Sequence, residues 1–278
     1  MNSQPKTPAI SQWITAASGE LEKAGISSAR LDAEILLSHT LRKPRTYLHA
    51  HPEEPLEART LEIADARLEL RKDRTPLAYI TGHKEFYGRN FKVTPSTLIP
   101  RPESEPIITL LKQFTPSLPS GNQRLVDVGT GSGCLGITAK LEEPGFDVTL
   151  IDSSKYALAV ARMNAEKHHA DVSLIHGDLL TSYPFKAAVV IANLPYVDPE
   201  WERSPETDHE PAEALFASNN GLALIYKLFR QLPDHLEKGG VLLLEADPRQ
   251  YNIILQTAEK SSLELVTNEG FITALRLR

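Results

Sequence analysis

Apolar residues recur at three- and four-residue intervals through the first part of the chain. Residues 10–24 carry them at helical spacing and stop at Gly25, a residue suited to the end of a helix. Ser28 then precedes Ala29–Leu41, where Leu31, Ile35, Leu36 and Leu41 are expected near one face. Residues 56–72 repeat the pattern, with Leu61, Ala64 and Leu68 set against a heavily charged side. Together these segments predict a small helical bundle.

The period changes between Tyr79 and Pro102. Phe86, Phe91 and Val93 are interleaved with polar residues around Gly88, the pattern of a short hairpin. Pro95, Pro100 and Pro102 rule out a continuous helix there. Residues 107–114 read as a helix at the edge of a second domain. From Gln123 onward, short runs rich in leucine and β-branched residues alternate with helical stretches. The strands fall at Arg124–Val128, 147–151, 172–175, 187–192 and 241–244, and the helices at 155–167 and 221–236. Such alternation predicts an α/β fold with a mostly parallel sheet and helices on both faces. Two further runs, 263–266 and 271–277, flank Asn268, Glu269 and Gly270 and predict a hairpin at the sheet edge. The expected organisation is a helical domain over 1–85, a hairpin and linker over 86–102, and an α/β domain over 103–278.

Composition narrows the class. The chain has 278 residues, 41% of them apolar and 24% charged, which is the balance of a soluble globular protein with room for two domains. A formal net charge of -6 argues against salt-driven binding along a nucleic-acid backbone. No apolar run is long enough to span a bilayer. The first residues lack the basic stretch and apolar core of a signal peptide. Cys134 is the single cysteine, so an internal disulfide is excluded and a reducing compartment is expected. These features predict a cytoplasmic protein without membrane or direct nucleic-acid partners, taken as a monomer.

The richest segment chemically is LVDVGTGSGCLG, residues 125–136. Gly129, Thr130, Gly131, Ser132 and Gly133 follow an apolar strand and precede a helix beginning near Cys134. Glycines are needed where the backbone turns sharply and where a ligand approaches without a Cβ in its way. The free N–H groups of the following helix start favour a negatively charged ligand group. Asp152, just after the next strand, can accept hydrogen bonds from both hydroxyls of a ribose. The segment also contains the Gly-x-Gly-x-x-Gly spacing of dinucleotide sites, from Gly131 to Gly136, and spacing alone does not separate the two cofactors. Asp127 leans the choice towards S-adenosylmethionine, because a carboxylate there could support its methionine end.

A second motif decides it. Residues 187–192 form a buried-strand pattern, and Asn193 is the first polar residue after them, followed by Leu194, Pro195 and Tyr196. In an open α/β sheet ligands bind beyond the carboxyl ends of the strands, so Asn193 is expected in the crevice that the glycine loop borders. Pro195 fixes its own backbone angle and biases Leu194 towards an extended one. Tyr196 offers a flat face to a planar group. An amide or ring-amine nitrogen is a poor nucleophile because its lone pair is delocalised. Two acceptors, the Asn193 side-chain oxygen and the Leu194 carbonyl, can hold its N–H groups so that the lone pair faces a sulfonium methyl. Catalysis would then be positioning and electrostatics without a strong base. An ordinary asparagine-proline turn is the plainer reading of the tetrapeptide taken alone.

With these motifs in place the chain resembles the peptide-chain-release-factor glutamine N5-methyltransferases, the HemK family. The likeness covers nearly the whole chain. It runs through ARLDAEILLSHTL, TPLAYITGHKEFYG, FKVTPSTLIPRPESE and DVGTGSG, then through Asp152 and His176-Gly177-Asp178. It continues through Glu210-Pro211 and Asn220-Gly221-Leu222. IPRPE, residues 99–103, is its most family-specific part. The resemblance implies an S-adenosylmethionine-dependent methyltransferase (Rossmann-like) domain behind a helical domain that helps dock a release factor, and a substrate glutamine in a Gly-Gly-Gln loop. Residues 129–133 and Asp152 would hold the cofactor, Asp178 and Leu179 would lie near its adenine, and residues 193–196 would bind the glutamine amide. Two departures stand out. Leu194 replaces the second residue of the usual Asn-Pro-Pro-Tyr, and Glu245-Ala246-Asp247-Pro248 replaces a stretch that usually contains glycine.

Arg101 and Glu103 are candidates for the substrate pocket or for a structural ion pair in the linker. Glu210 is a candidate contact to the substrate loop or a solvated acid before a proline. No His, Cys and Asp cluster has metal-ligand spacing, so no metal is expected. Cys134 lacks an evident base and reads as a small helix-start residue. His168 and His169 read as exposed residues at a charged helix end. The competing functions are a ribosomal RNA adenine N6-methyltransferase, whose motif also takes the Asn-Leu-Pro-Tyr form, and a non-catalytic cofactor-binding partner of a translation factor.

Overall fold

The computed structural model describes residues 7–119, 121 and 123–278. The chain divides into two compact units, one comprising residues up to Gly82 with Ser204–His209, the other His83–Arg203 with Glu210–Arg278.

The first unit is helical: α1 (Ile10–Lys23), α2 (Ala29–Leu41), α3 (Arg45–Ala50), α4 (Ala58–Lys72) and α5 (Leu77–Thr81). Ile10, Trp13, Ile14, Ala17 and Leu21 of α1 close over Ala33, Leu36 and Leu37 of α2 and Ala64 and Leu68 of α4. The buried face of α2 differs from the one expected. Leu31 is exposed, and Ala29, Asp32 and Ala33 are inside. An acid can face inward because Arg71, itself buried on α4, donates from Nε to Asp32 Oδ2 at 2.7 Å. Arg71 also reaches Glu206 Oε1 through Nη2 at 3.1 Å, and Arg74 reaches the same oxygen at 3.0 Å. Burial opposes ionisation of Glu206, but hydrogen bonds from Ser204 and the two arginines win and hold its carboxyl down at about 2.

In the second unit the chain forms β1 (His83–Phe86), β2 (Arg89–Lys92), α6 (Pro106–Phe114), β3 (Arg124–Val128), α7 (Cys134–Glu142), β4 (Asp147–Asp152) and α8 (Lys155–His168). It continues as β5 (Val172–His176), β6 (Ala187–Asn193), α9 (Ala212–Leu215), α10 (Ala223–His235), β7 (Leu236–Glu245), α11 (Tyr251–Lys260), β8 (Leu263–Glu269) and β9 (Ile272–Leu277). Strands β1 and β2 pair as a hairpin, a structure that is marginal by itself. Burial of Phe86 and Phe91 beside residues of α6 and α7, at about 1.5–3 kcal/mol each, holds it to this unit. His168 is half-buried, its ring 4.8 Å from that of Phe91.

The seven-stranded sheet has the order β5-β4-β3-β6-β7-β9-β8. Its first five strands are parallel, and β9 runs antiparallel to both β7 and β8. Alternation along the strands serves two cores. Val126 and Val128 face Ile225, Phe229 and Ile254 of α10 and α11, whereas Leu125 and Leu150 face Ile107, Leu111 and Ile137 of α6 and α7. The strand order reverses between β3 and β6, where Val128 is registered with Ala192. A switch of this kind opens a crevice at the carboxyl ends of the two strands. No helix among the described residues is long and apolar enough to cross a membrane.

Candidate active site

At that switch point Gly129 follows β3 and Asn193 ends β6, so the two chemical motifs adjoin. Gly129, Gly131 and Gly133 take φ of 71°, 55° and 82°, left-handed values that residues with a Cβ rarely adopt. The loop folds back over β4, where Ile151 O accepts from the N–H groups of Gly129 (2.8 Å) and Thr130 (3.0 Å). Asp152 closes it by accepting from Gly131 N–H through Oδ2 and from Ser154 N–H through Oδ1, both at 2.8 Å. Burial pushes the Asp152 carboxyl up, and its backbone donors oppose the shift. A carboxylate has about four acceptor positions, so Asp152 keeps capacity for ligand hydroxyls.

The cleft encloses roughly 1000 Å³ with its open mouth included. Of the residues expected at the site, Gly129, Thr130, Gly131, Ser132, Asp152, Asp178, Leu179, Asn193, Leu194, Pro195 and Arg101 line it. A β-carbon on Gly131 would meet nothing within 4 Å, so that residue leaves open space for a ligand. Asp178 also pairs with Lys227.

Other expected residues serve the site from behind. Asp127 is fully buried, and its Oδ2 accepts from Thr130 Oγ1 at 2.6 Å and Gly136 N–H at 2.9 Å. Its carboxylate braces the glycine loop and does not line the cleft, against the expected contact with a methionine end. Burial pushes its pKa up to about 6. Gly133 permits close packing, since a β-carbon there would lie 2.8 Å from Ile137 Cδ1 and 3.2 Å from Ala161 Cβ. The Tyr196 ring is half-buried and packs on the core. Its hydroxyl donates to Glu245 Oε1 at 3.2 Å, and burial together with that acid raises the phenol pKa so that the proton stays. Gln250 Nε2 donates to the carbonyls of Tyr196 and Asn220, both at 2.8 Å. Glu210 is buried, accepts from Ile99 N–H at 3.0 Å and pairs with Arg101. It is therefore not a solvated acid; it fixes the IPRPE segment and aims Arg101. Glu103 is exposed and outside the lining. Cys134 lines the cleft, but burial pushes its thiol up to about 12, which leaves it a poor nucleophile.

Residues not named as site candidates from the sequence join the wall. Ser96, Thr97, Leu98 and Pro100 come from the proline-punctuated segment, and Ser104 follows directly after IPRPE. Glu245 stands behind them. Its signal was present, since an acid ends the apolar run VLLLE as Asn193 ends AAVVIAN, and the two residues are registered partners on β7 and β6.

Residues 12–82 match the PrmC N-terminal domain, and residues 109–218 match the methyltransferase small domain. A release factor glutamine methyltransferase of Koribacter versatilis is 37% identical over 249 residues, covering 86% of this chain and 88% of that one. One from Coxiella burnetii is 33% identical over 272 residues, covering 97% and 94%. Among solved structures, a methyltransferase from Pyrococcus furiosus shares the fold at 21% identity with a TM-score of 0.51, covering 76% of this chain and 94% of that one. Sheet, switch point and glycine loop are those of a Rossmann-like, S-adenosylmethionine-dependent methyltransferase. The chain belongs to the release factor glutamine methyltransferase family.

Proposed function

We propose that this chain methylates the side-chain amide nitrogen of the glutamine in the Gly-Gly-Gln segment of a peptide chain release factor. The observation that carries the reading is the register of Val128 with Ala192, which sets the glycine loop and Asn193 at adjoining strand ends. The cleft suits the cofactor. It offers an open place at Gly131, spare acceptor capacity on Asp152, and the N-terminus of α7 for a carboxylate. Gly129, Thr130, Gly131 and Ser132 would cradle the cofactor, Asp152 would take its ribose, and Asp178 and Leu179 would flank its adenine. When bound, S-adenosylmethionine supplies an electrophilic methyl on a sulfonium centre.

Everything else falls to the chain's own groups. Asn193 Oδ1 and the Leu194 carbonyl accept the two N–H groups of the glutamine amide and turn its nitrogen towards the methyl. Pro195 keeps Leu194 extended so that its carbonyl faces the same way. Arg101, held by Glu210, gives the cleft a cationic edge for the substrate backbone, and Glu103 lies in the same segment. Tyr196 supports the corner from the core. The helical unit is the part that would dock the release factor. A release factor places the reaction in the cytoplasm, and the chain would work there as a monomer, without contacting nucleic acid directly.

Incubation with methyl-labelled S-adenosylmethionine, a purified release factor and, separately, ribosomal RNA tests the reading. Label in the release factor supports it. Label in RNA adenine with the release factor blank rejects it, as does cofactor binding without turnover on either.

A further inference from the structure

Asn193 has a symmetry problem that its proposed role does not solve. An asparagine amide can present either its oxygen or its NH₂ group to the cleft, and only the oxygen can receive the N–H of a substrate amide. In the structure Asn193 Nδ2 donates to Ser104 Oγ at 3.1 Å. A serine hydroxyl both donates and accepts, so Ser104 alone would tolerate the opposite orientation. A second group must fix the direction.

Glu245 meets that need. It is registered with Asn193 across β6 and β7, so both side chains leave the sheet at the same level. It is 1% exposed, and its Oε2 has no hydrogen-bond partner among the described residues, which is costly for a buried carboxylate. Burial and the nearby Glu103 charge raise its pKa, and hydrogen bonding to Ser104, Tyr196 and Asn193 opposes the shift. As a carboxylate, Glu245 would accept and never donate. Were Ser104 to donate its hydroxyl hydrogen to that carboxylate, it would turn a lone pair to Asn193, which must then answer with Nδ2–H, the direction the structure has.

We infer that Glu245 is a positioning residue that sets the polarity of the Asn193 amide through Ser104, so that Oδ1 faces the acceptor nitrogen. The inference rests on the role proposed for Asn193. Tyr196 gains a function of the same kind, since its hydroxyl holds Glu245 in line.

Glu245→Gln, Ser104→Ala and the double variant test it in the full-length enzyme with a release factor as substrate. Each single variant is expected to lower kcat by about ten-fold or more, because an acceptor aimed at the reacting group is lost for part of the time. KM for the release factor and the calorimetric Kd for S-adenosylmethionine should stay within about two-fold in Glu245→Gln, since Glu245 stands behind the cleft wall and does not line it. The double variant should be no worse than the poorer single one, because both act along one line. Wild-type kcat in folded Glu245→Gln, or losses that multiply in the double variant, would overturn the inference. Should Glu245→Gln fail to fold, Ser104→Ala decides alone, and wild-type kcat there overturns it. Asn193→Ala separates the two claims. Full turnover in Asn193→Ala removes the underlying reading, whereas an inactive Asn193→Ala beside an active Glu245→Gln removes only the role of Glu245.

Discussion

Leu194 packs so closely on Gly129 that a β-carbon on residue 129 would lie 2.9 Å from Leu194 Cδ2. Leu194 is itself 3% exposed, so its side chain has little room to retreat. The loop suited to the cofactor and the corner suited to the acceptor are thus locked through one contact. It also gives Leu194 a place in this chain, where the family usually has proline. Its side chain fills the space beside the loop, and its carbonyl remains available.

Gly129→Ala probes that contact directly. A β-carbon would strain a backbone at φ 71° and press on Leu194. A loss of about 1–3 kcal/mol in unfolding free energy is expected, with weaker binding of S-adenosylmethionine. Urea denaturation and calorimetry check this. An unchanged midpoint together with unchanged affinity would contradict the interlock.

Asp127 gives a pH signature. Its folded pKa of about 6 lies above the ordinary 3.8, so the folded protein holds the proton that the unfolded chain releases. Stability is therefore lost as pH rises through that window, by up to about 3 kcal/mol, and the deficit persists above it. Asp127→Asn keeps an oxygen for Thr130 and Gly136 without the charge. Its unfolding free energy should fall less than that of the wild type between pH 4 and pH 6, approximately the window's limits. Parallel curves for the two proteins would refute this. Cofactor affinity should change little in the variant if Asp127 only braces the loop.

In the helical unit, Asp32→Ala removes the buried partner of Arg71. Glu206 remains, so the cost should fall near the lower end for a broken buried pair, about 3 kcal/mol. Hydrogen exchange should show lost protection in α2 and α4. Protection equal to the wild type would mean that the pair contributes nothing there.

Gly221 sits at φ 81° beneath Tyr196, and a β-carbon on it would collide with the Tyr196 carbonyl. Gly221→Ala should displace the corner and release the clamp made by Gln250. A shift of that size near the reacting groups is expected to lower kcat by about a hundred-fold. Steady-state kinetics on the folded variant checks it, and wild-type kcat would show that the corner tolerates movement.

Much of the fold was legible in the sequence where period and turn chemistry agree. The parallel strands, the hairpin around Gly88 and the edge hairpin of β8 and β9 all stand where alternation placed them. Helices α3 and α11 left weaker traces, because α3 buries only Leu48 and α11 only Ile254 and Ala258. The inward face of α2 was misread because a carboxylate at position 32 counts as polar until its partner, distant in sequence, is known. The same limit hid the neighbour of Glu245, although its place at the end of an apolar run was visible. An acid closing an apolar strand has no distinctive spacing, and its meaning comes from a sheet order that sets β7 beside β6. Asp127 and Tyr196 were legible as residues, but their partners within the protein, Thr130, Gly136 and Glu245, were not, since a motif names side chains without saying which way they turn.

The central claim is that the methyl goes to a glutamine amide held by Asn193. Tandem mass spectrometry of a release factor after incubation with the enzyme and S-adenosylmethionine tests it most directly. The account predicts one added methyl on the side-chain nitrogen of the Gly-Gly-Gln glutamine, and none when the enzyme carries Asn193→Ala. A methyl found on another residue, or full modification by Asn193→Ala, would contradict it.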